Sequence, residues 1–302
     1  MEAAAQSASA TTPVDRLQLA FLASAAVVAV LFVPSPGSVL LEIAALSAVI
    51  LLACRVRSRS RWLALLHAFL PLVVLSLLIN LIGPLIVSVN RPQSDAALAG
   101  IDAEWFAWLI GPWRNAFGRP EWLTDAASIA YASYYFLPIA AAAPLWKAGR
   151  TEEFDRLAFS MTAIVLACYV AYFIAPAYGP RVPDDLAQAT IGGGTISALL
   201  RAFLRAAERN QLDAFPSGHT AVSLAFLAAT WPAFPRLRPV LVLAVSAIIF
   251  STVYLSLHYL IDVFAGVALA LIVLPAVPFL RRLFAGPALV APDRTHAREH
   301  AS

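Results

Sequence analysis

Apolar runs long enough, or nearly so, to cross the hydrocarbon of a bilayer divide this chain; a helix needs about 20 residues for that. They fall at Leu17–Val33, Val39–Cys54, Trp62–Val89, Ala126–Trp146, Leu157–Ala177, Ser217–Trp231, Val240–Leu257 and Tyr259–Leu280. In lipid every backbone amide must be satisfied without water, which a helix does within one segment. Over 302 residues, 61% hydrophobic and 13% charged, the composition is too apolar for a soluble domain. The expected fold class is therefore an all-α integral membrane protein of about eight transmembrane helices. The second and sixth runs are short. The third is long and carries Pro71, Gly83 and Pro84, where a kink or tilt is expected. The last two leave room only for a tight turn around Ser256 to Tyr259.

Orientation follows from the basic residues of the connections. One side receives Arg16, then Arg55, Arg57, Arg59 and Arg61, then Lys147, Arg150 and Arg156, then Arg236 and Arg238, then Arg281 and Arg282. The other receives Arg91, Arg114, Arg119, Arg181, Arg201, Arg205 and Arg209, although its connections are longer. Cytoplasmic termini are expected, in a bacterial inner membrane, with the active site on the outer, periplasmic side. The organisation expected is one membrane domain over 1–302: three helices in 16–89, an outer interfacial segment at 90–125, catalytic helices in 126–280 and a cytoplasmic tail at 281–302. The polar start lacks the pattern of a removed signal peptide, so the first span is expected to stay as an anchor. The net charge of +3 resides mostly in arginines flanking the spans, and no separate basic cluster points to nucleic acid. Cys54 and Cys168 read as small apolar residues, with no disulfide framework.

Two connections on the arginine-poor side are long. Asn90 to Asp125 mixes Trp105, Phe106, Trp108, Trp113 and Trp122 with Asp102, Glu104 and Arg114, as in a helix lying among headgroups. Anchoring is its plain reading and contact with a lipid substrate its sharper one. Tyr178 to Ala214 joins Gly179-Pro180-Arg181, a Gly192-Gly193-Gly194 run read as flexible, and an amphipathic stretch. There Ile196, Leu199, Leu200, Phe203 and Leu204 face away from Arg201, Arg205 and Arg209, like a lid or entry ramp.

Ionisable residues at the edges of apolar runs are costly, about 2.5 to 3.5 kcal/mol each on insertion scales, and so mark functional sites or paired contacts. His258 and Asp262 are four apart at a predicted helix start and share one face. The carboxylate can accept the imidazole Nδ1 proton, leaving Nε2 as a nucleophile; an intramembrane ion pair has the same spacing. Pro216, Ser217, Gly218 and His219 open another helix, whose first-turn amides can hold an anion. Ser217 can add a hydroxyl donor, Gly218 lets an oxyanion approach the backbone, and His219 can give a proton to a departing oxygen. Together these parts describe phosphoryl transfer, with Arg181 as the forked donor to phosphate. Arg91 is its rival for that contact. His67, Asn80, Asn90 and Asp95 are more simply read as hydrogen-bonded structural residues.

Pro216-Ser217-Gly218-His219, and Ser251-Thr252 followed by His258 and Asp262, resemble the second and third signatures of the type 2 phosphatidic acid phosphatase superfamily, Pro-Ser-Gly-His and Ser-Arg-x5-His-x3-Asp. The resemblance implies a six-helix core, here the third to eighth helices with two in front. It implies a phosphohistidine at His258 oriented by Asp262, with His219 protonating the leaving group, a membrane lipid as substrate, and no cofactor or required metal. The first signature, Lys-x6-Arg-Pro, is absent in that form: with its Arg on Arg181, Ile174 stands at the Lys and Val182 at the Pro. Thr252 replaces the Arg of the third signature. A cradle with fewer cations suits a phosphodiester, with one negative charge, better than a monoester with nearly two. Tyr172 to Pro176, Tyr178 to Arg181, His258-Tyr259 and Asp262-Val263 are also similar to the inositol phosphorylceramide synthase and sphingomyelin synthase branch. The expectation is a lipid phosphotransferase. A lipid phosphate monoesterase, a phosphatase of soluble substrates, and a non-catalytic lipid-binding or transport protein are the alternatives. Head group, acceptor and oligomeric state stay open at this level.

Overall fold

The computed structural model describes residues 11–89, 91–180, 192–207 and 211–285. Arg181, Arg209, Asn90 and the tail from Pro287 lie outside the described residues, as do the side chains of Trp113, Arg114 and Arg205. Among the described residues all regular structure is helical. Seven helices are long and apolar enough to cross a membrane. They are α1 (Pro13–Phe32), α2 (Gly37–Val56, its span continued to Arg59 by a 3-10 turn), α3 (Arg61–Val89), α6 (Glu121–Lys147), α7 (Thr151–Ile174), α10 (Arg238–Tyr254, its span begun at Pro235 by a 3-10 turn) and α11 (Leu260–Ala285). The chain is an integral membrane protein.

The remaining expected stretch, Ser217–Trp231, forms α9 (Gly218–Thr230), whose 13 residues fall short of a full crossing. It packs between α7, α10 and α11, and Thr220, Ala221, Val222, Ala225 and Phe226 are buried. α1 begins four residues before the apolar run because Thr12 and Asp15 form a capping box, with Pro13 in the first turn. α3 continues through Pro71 and Pro84 over 29 residues, about 43 Å at the α-helical rise.

Leu22, Ile50, Leu78, Ile82, Leu85 and Ile164 are fully enclosed, whereas Leu41, Leu271 and Ile272 point outward. Because lipid tails are as apolar as leucine, close fit rather than dehydration holds such a bundle together. At Gly266 of α11 the fit is close: a Cβ there would lie 2.6 Å from the Ser217 carbonyl oxygen.

Short helices gather at the end of the bundle where α7 finishes and α9 and α11 start. α4 (Asp95–Trp105) and α5 (Ala107–Phe117) fill the tryptophan-rich connection, and α8 (Thr195–Ala207) follows the glycine run. Trp105, Trp108 and Trp122 are exposed, as headgroup anchors would be. The glycine run is held rather than loose: Asp125 Oδ1 accepts from the amides of Gly194 and Ser197, each at 2.9 Å. On α8, Leu200 enters a cluster with Tyr131, Tyr254 and Leu255, while Ile196, Leu199 and Phe203 stay exposed.

Candidate active site

Three backbone segments meet at this end and are laced by main-chain bonds. The exit from α7 meets the approach to α9 where the Ala214 amide donates to the Ala177 carbonyl at 3.0 Å. The α9 start meets α11 where the Ser217 amide donates to the Asp262 carbonyl at 2.9 Å. In the turn from α10 to α11, the amides of Leu257 and His258 donate to the Thr252 carbonyl at 2.9 and 3.1 Å. Ser256 takes a positive φ of 54° to make that turn, a conformation costing of order 1 kcal/mol or more that only surrounding contacts sustain. Arg119 donates to its hydroxyl at 3.1 Å.

This scaffold buries His258 and Asp262 and brings them together as the spacing predicts. His258 Nδ1 lies 2.8 Å from the Ala214 carbonyl oxygen and 3.4 Å from Asp262 Oδ2. The nearer acceptor is thus a main-chain carbonyl, which the sequence reading did not name. Either acceptor keeps the proton on Nδ1 and directs the Nε2 lone pair outward. Asp262 Oδ2 also accepts from the Tyr259 amide at 2.8 Å, which fixes the carboxylate. Burial, then the Asp95, Asp262 and Asp102 carboxylates, hold the Tyr259 phenol above its ordinary range, so it stays protonated.

Ser217 is the N-cap of α9, and its Oγ accepts from the Thr220 amide at 3.3 Å and the Thr220 hydroxyl at 3.0 Å. Its own hydroxyl hydrogen is left to donate. Gly218 is required by Tyr172, because a Cβ there would sit 2.5 Å from the phenol oxygen. His219 faces His258 with ring centroids 5.9 Å apart. At that separation a single phosphoryl group lying beside the two rings, not between them, comes within about 3 Å of a nitrogen of each, the range of attack and of hydrogen bonding.

Aromatic residues of α6, not named by the sequence reading, hold His219. Tyr131 stacks on the imidazole at 4.2 Å and 27°, Tyr134 meets it at 4.2 Å, and Tyr135 stands edge-on at 6.1 Å. Their one-turn spacing puts Tyr131 and Tyr134 on one helix face, which was the available signal.

Of the acids of α4, Asp95 is hydrogen-bonded as expected, and Asp102 has a matching role that the sequence reading did not name. Asp95 accepts from the amides of Tyr178 at 3.0 Å and Gly179 at 2.8 Å, and Asp102 accepts from Leu260 at 2.8 Å and Ile261 at 2.9 Å. Spaced seven apart, they share a helix face, and α4 braces the site as well as carrying an interfacial tryptophan. Gly179, at φ 79°, is so close to the Leu257 carbonyl and the Ala214 methyl that a Cβ would meet them at 2.9 and 3.0 Å. Arg181, two residues on, lies outside the described residues. Arg91 is exposed, three residues before Ser94, whose amide bonds the Pro176 carbonyl. Thr252 turns its hydroxyl to the Ile249 carbonyl at 2.7 Å and is fully buried.

A family model described as the PAP2 superfamily matches residues 96–276. No curated protein and no solved structure gives a significant match. The matched segment runs from α4 into α11 and includes both histidines and Asp262.

Proposed function

The chain belongs to the PAP2 superfamily and is an enzyme of the phosphatase and phosphotransferase type acting on lipid phosphate; on that premise, we propose that it moves a phospho-head group from a phospholipid to a lipid alcohol through a phosphohistidine at His258. The observation that carries this reading is the pair of imidazoles, from separate elements, facing each other at 5.9 Å.

In the first half-reaction His258 Nε2 attacks the phosphorus of the donor lipid. The P–O bond to diacylglycerol breaks, and His219 gives its proton to the departing oxygen. Nδ1 keeps its proton, shared toward the Ala214 carbonyl and the Asp262 carboxylate, which stabilises the positive charge growing on the ring. In the second half-reaction His219 takes a proton from the acceptor hydroxyl, whose oxygen attacks the phosphorus and frees His258. Ser217, the backbone at Gly218, and Arg181 are assigned to the phosphate oxygens. The approach of Gly179 to the His258 turn supports Arg181.

Transfer is favoured over monoester hydrolysis by the charge of the cradle. Thr252 stands where the third signature carries arginine, and its hydroxyl is engaged within its own helix. With Ile174 at the Lys of the first signature as well, the cradle has two cations fewer, and a diester is the better electrostatic match. The periplasmic orientation of the site rests on the arginine asymmetry of the connections, and a sphingolipid or inositol acceptor on the motif likeness given above.

The test incubates purified protein with a fluorescent phospholipid and a panel of lipid alcohols, resolving products by thin-layer chromatography. Diacylglycerol together with a new head-grouped lipid is expected, and an acid-labile phosphoenzyme should be trapped with labelled donor. Free phospho-head group with no acceptor product would establish a hydrolase of the diester instead, and inorganic phosphate released from phosphatidic acid alone would establish the monoesterase. No product from any donor, or turnover retained by His258→Ala, would remove the nucleophile assignment.

A further inference from the structure

At the opposite end of the bundle a second cluster of ionisable side chains is buried beside a cavity of about 520 Å³. Asp15 of α1, Cys54 of α2 and His67 of α3 are 1%, 1% and 7% exposed. One ligand-type atom of each lies within 4.8 Å of the others. Asp262 and Arg281, which reaches the cavity, are separated along α11 by about 28 Å at the helical rise. All three residues precede the segment matched by the family model, so the chemistry proposed for the two histidines does not call on them.

From this geometry we infer that Asp15, Cys54 and His67 form a tetrahedral binding site for a borderline-soft divalent cation, Zn²⁺ foremost. Cys54 Sγ is 3.3 Å from Asp15 Oδ2 and 3.5 Å from His67 Nε2, and Nε2 is 3.1 Å from Oδ2. Tetrahedral Zn²⁺ with its usual bond lengths to sulfur, nitrogen and oxygen requires ligand edges of about 3.4 to 3.6 Å, so each ligand would move by only a few tenths of an ångström. The donor set, one thiolate, one imidazole and one carboxylate, is of the kind Zn²⁺ takes.

Hydrogen bonding alone accounts poorly for the cluster. Asp15 Oδ2 also receives the Thr12 amide and the Thr12 hydroxyl, both at 2.7 Å, so four donors converge on one oxygen. A cation in the triangle collects the thiolate and the imidazole, leaving Thr12 to orient the carboxylate from behind. Charge supports the same assignment. Zn²⁺ with a thiolate, a carboxylate and a neutral imidazole sums to zero, the favourable balance for a buried site at a membrane. On binding, the thiol proton passes to water and the imidazole remains neutral, its proton moving to Nδ1. Nothing is oxidised or reduced.

The cavity beside it, about 520 Å³, is lined by Asp15 and His67 with Thr12, Arg57, Asp155 and Arg281. It gives the cation an entry path and leaves water as the fourth ligand. With one ligand from each of the first three helices, the ion would tie α1 and α2 to α3 at the arginine-rich end.

The test uses the full chain purified in detergent, in a Cys168→Ala background that leaves Cys54 as its single thiol. After loading with Zn²⁺ and dialysis, about one equivalent per chain is expected, with affinity falling more than about tenfold in Cys54→Ser and His67→Gln. Co²⁺ should give a thiolate-to-metal charge-transfer band and the intense visible bands of tetrahedral geometry, and should protect Cys54 from alkylation. Retention of less than about a tenth of an equivalent, with no cobalt bands and no protection in the chain with all three ligands intact, would overturn the site and leave a hydrogen-bonded cluster only. That result needs no ligand variant to fold.

Discussion

Asp102 and Leu260 are separated by 158 residues and joined by a hydrogen bond of 2.8 Å from the Leu260 amide to Oδ2, while Oδ1 takes the Ile261 amide at 2.9 Å. First-turn amides have no partner within their own helix, and a cap side chain normally comes from the residue just before. Here another helix supplies it, one position ahead of Asp262.

Replacing Asp102 by alanine leaves two first-turn amides without their acceptor, and a lost cap costs about 1 to 2 kcal/mol. The thermal midpoint in detergent should fall. Because the His258 turn shifts with the helix start, kcat/KM should drop about tenfold or more. Asp102→Asn, which keeps one acceptor oxygen, should recover part of both. Turnover unchanged in Asp102→Ala would mean that α4 does not position the site.

The rings of Tyr131 and Tyr134 hold His219 at 4.2 Å. Aromatic contacts of this kind contribute about 0.5 to 1.5 kcal/mol beyond their burial. Tyr131→Leu and Tyr134→Leu should each lower kcat about three- to tenfold with less effect on KM, whereas the phenylalanine variants keep most of the rate. Equal losses from leucine and phenylalanine would point to the hydroxyls instead of the rings.

Gly218→Ala should overpack the start of α9 by about 1 to 3 kcal/mol, since its methyl meets the Tyr172 phenol oxygen. The paired change Gly218→Ala with Tyr172→Phe removes the obstructing atom. Activity and thermal midpoint should both return toward those of the unaltered chain, a coupling that a double-mutant cycle measures.

For the phosphate, Arg181→Ala should lower kcat/KM about ten- to a hundredfold, the weight of a charge-assisted hydrogen bond of roughly 1.5 to 3 kcal/mol. Lysine should restore only part, lacking the planar fork. Arg91→Ala should stay within about threefold, since Arg91 is exposed and sits before the brace helix. The reverse ranking would move the phosphate contact to Arg91.

The bundle and the centre of the site were legible because both are local in sequence. Apolar run length located seven of the eight expected spans, and the His258 and Asp262 spacing put those two side chains on one face. What escaped depends on which helices become neighbours. Tyr131 and Tyr134 went unnamed because only the packing of α6 against α9 brings their rings to His219. Asp95 bonds as its structural reading had it, though without its partners named, and Asp102 sat in a segment whose tryptophans spoke louder than its acids, although a seven-residue spacing of carboxylates on a short helix was there to be read. His67 was correctly read as bonded to a neighbouring helix, but its partner Asp15 precedes the apolar run and was counted as part of the polar start. The short α9 was expected as a span because its apolar run continues to Trp231, while Pro216 and the Ser217 cap fix where the helix begins.

The amide of Ser217 rests on the carbonyl of Asp262, and only hydrogen stands at Gly266 where α11 crosses that turn. The start of α9, which carries His219, and the start of α11, which follows His258, are therefore riveted peptide to peptide, and parting them would strand both groups of that bond in an apolar setting. A two-tailed reactant gains nothing from prying these helices apart. Any motion that admits a reactant therefore has to come from the other walls of the site and not from this seam.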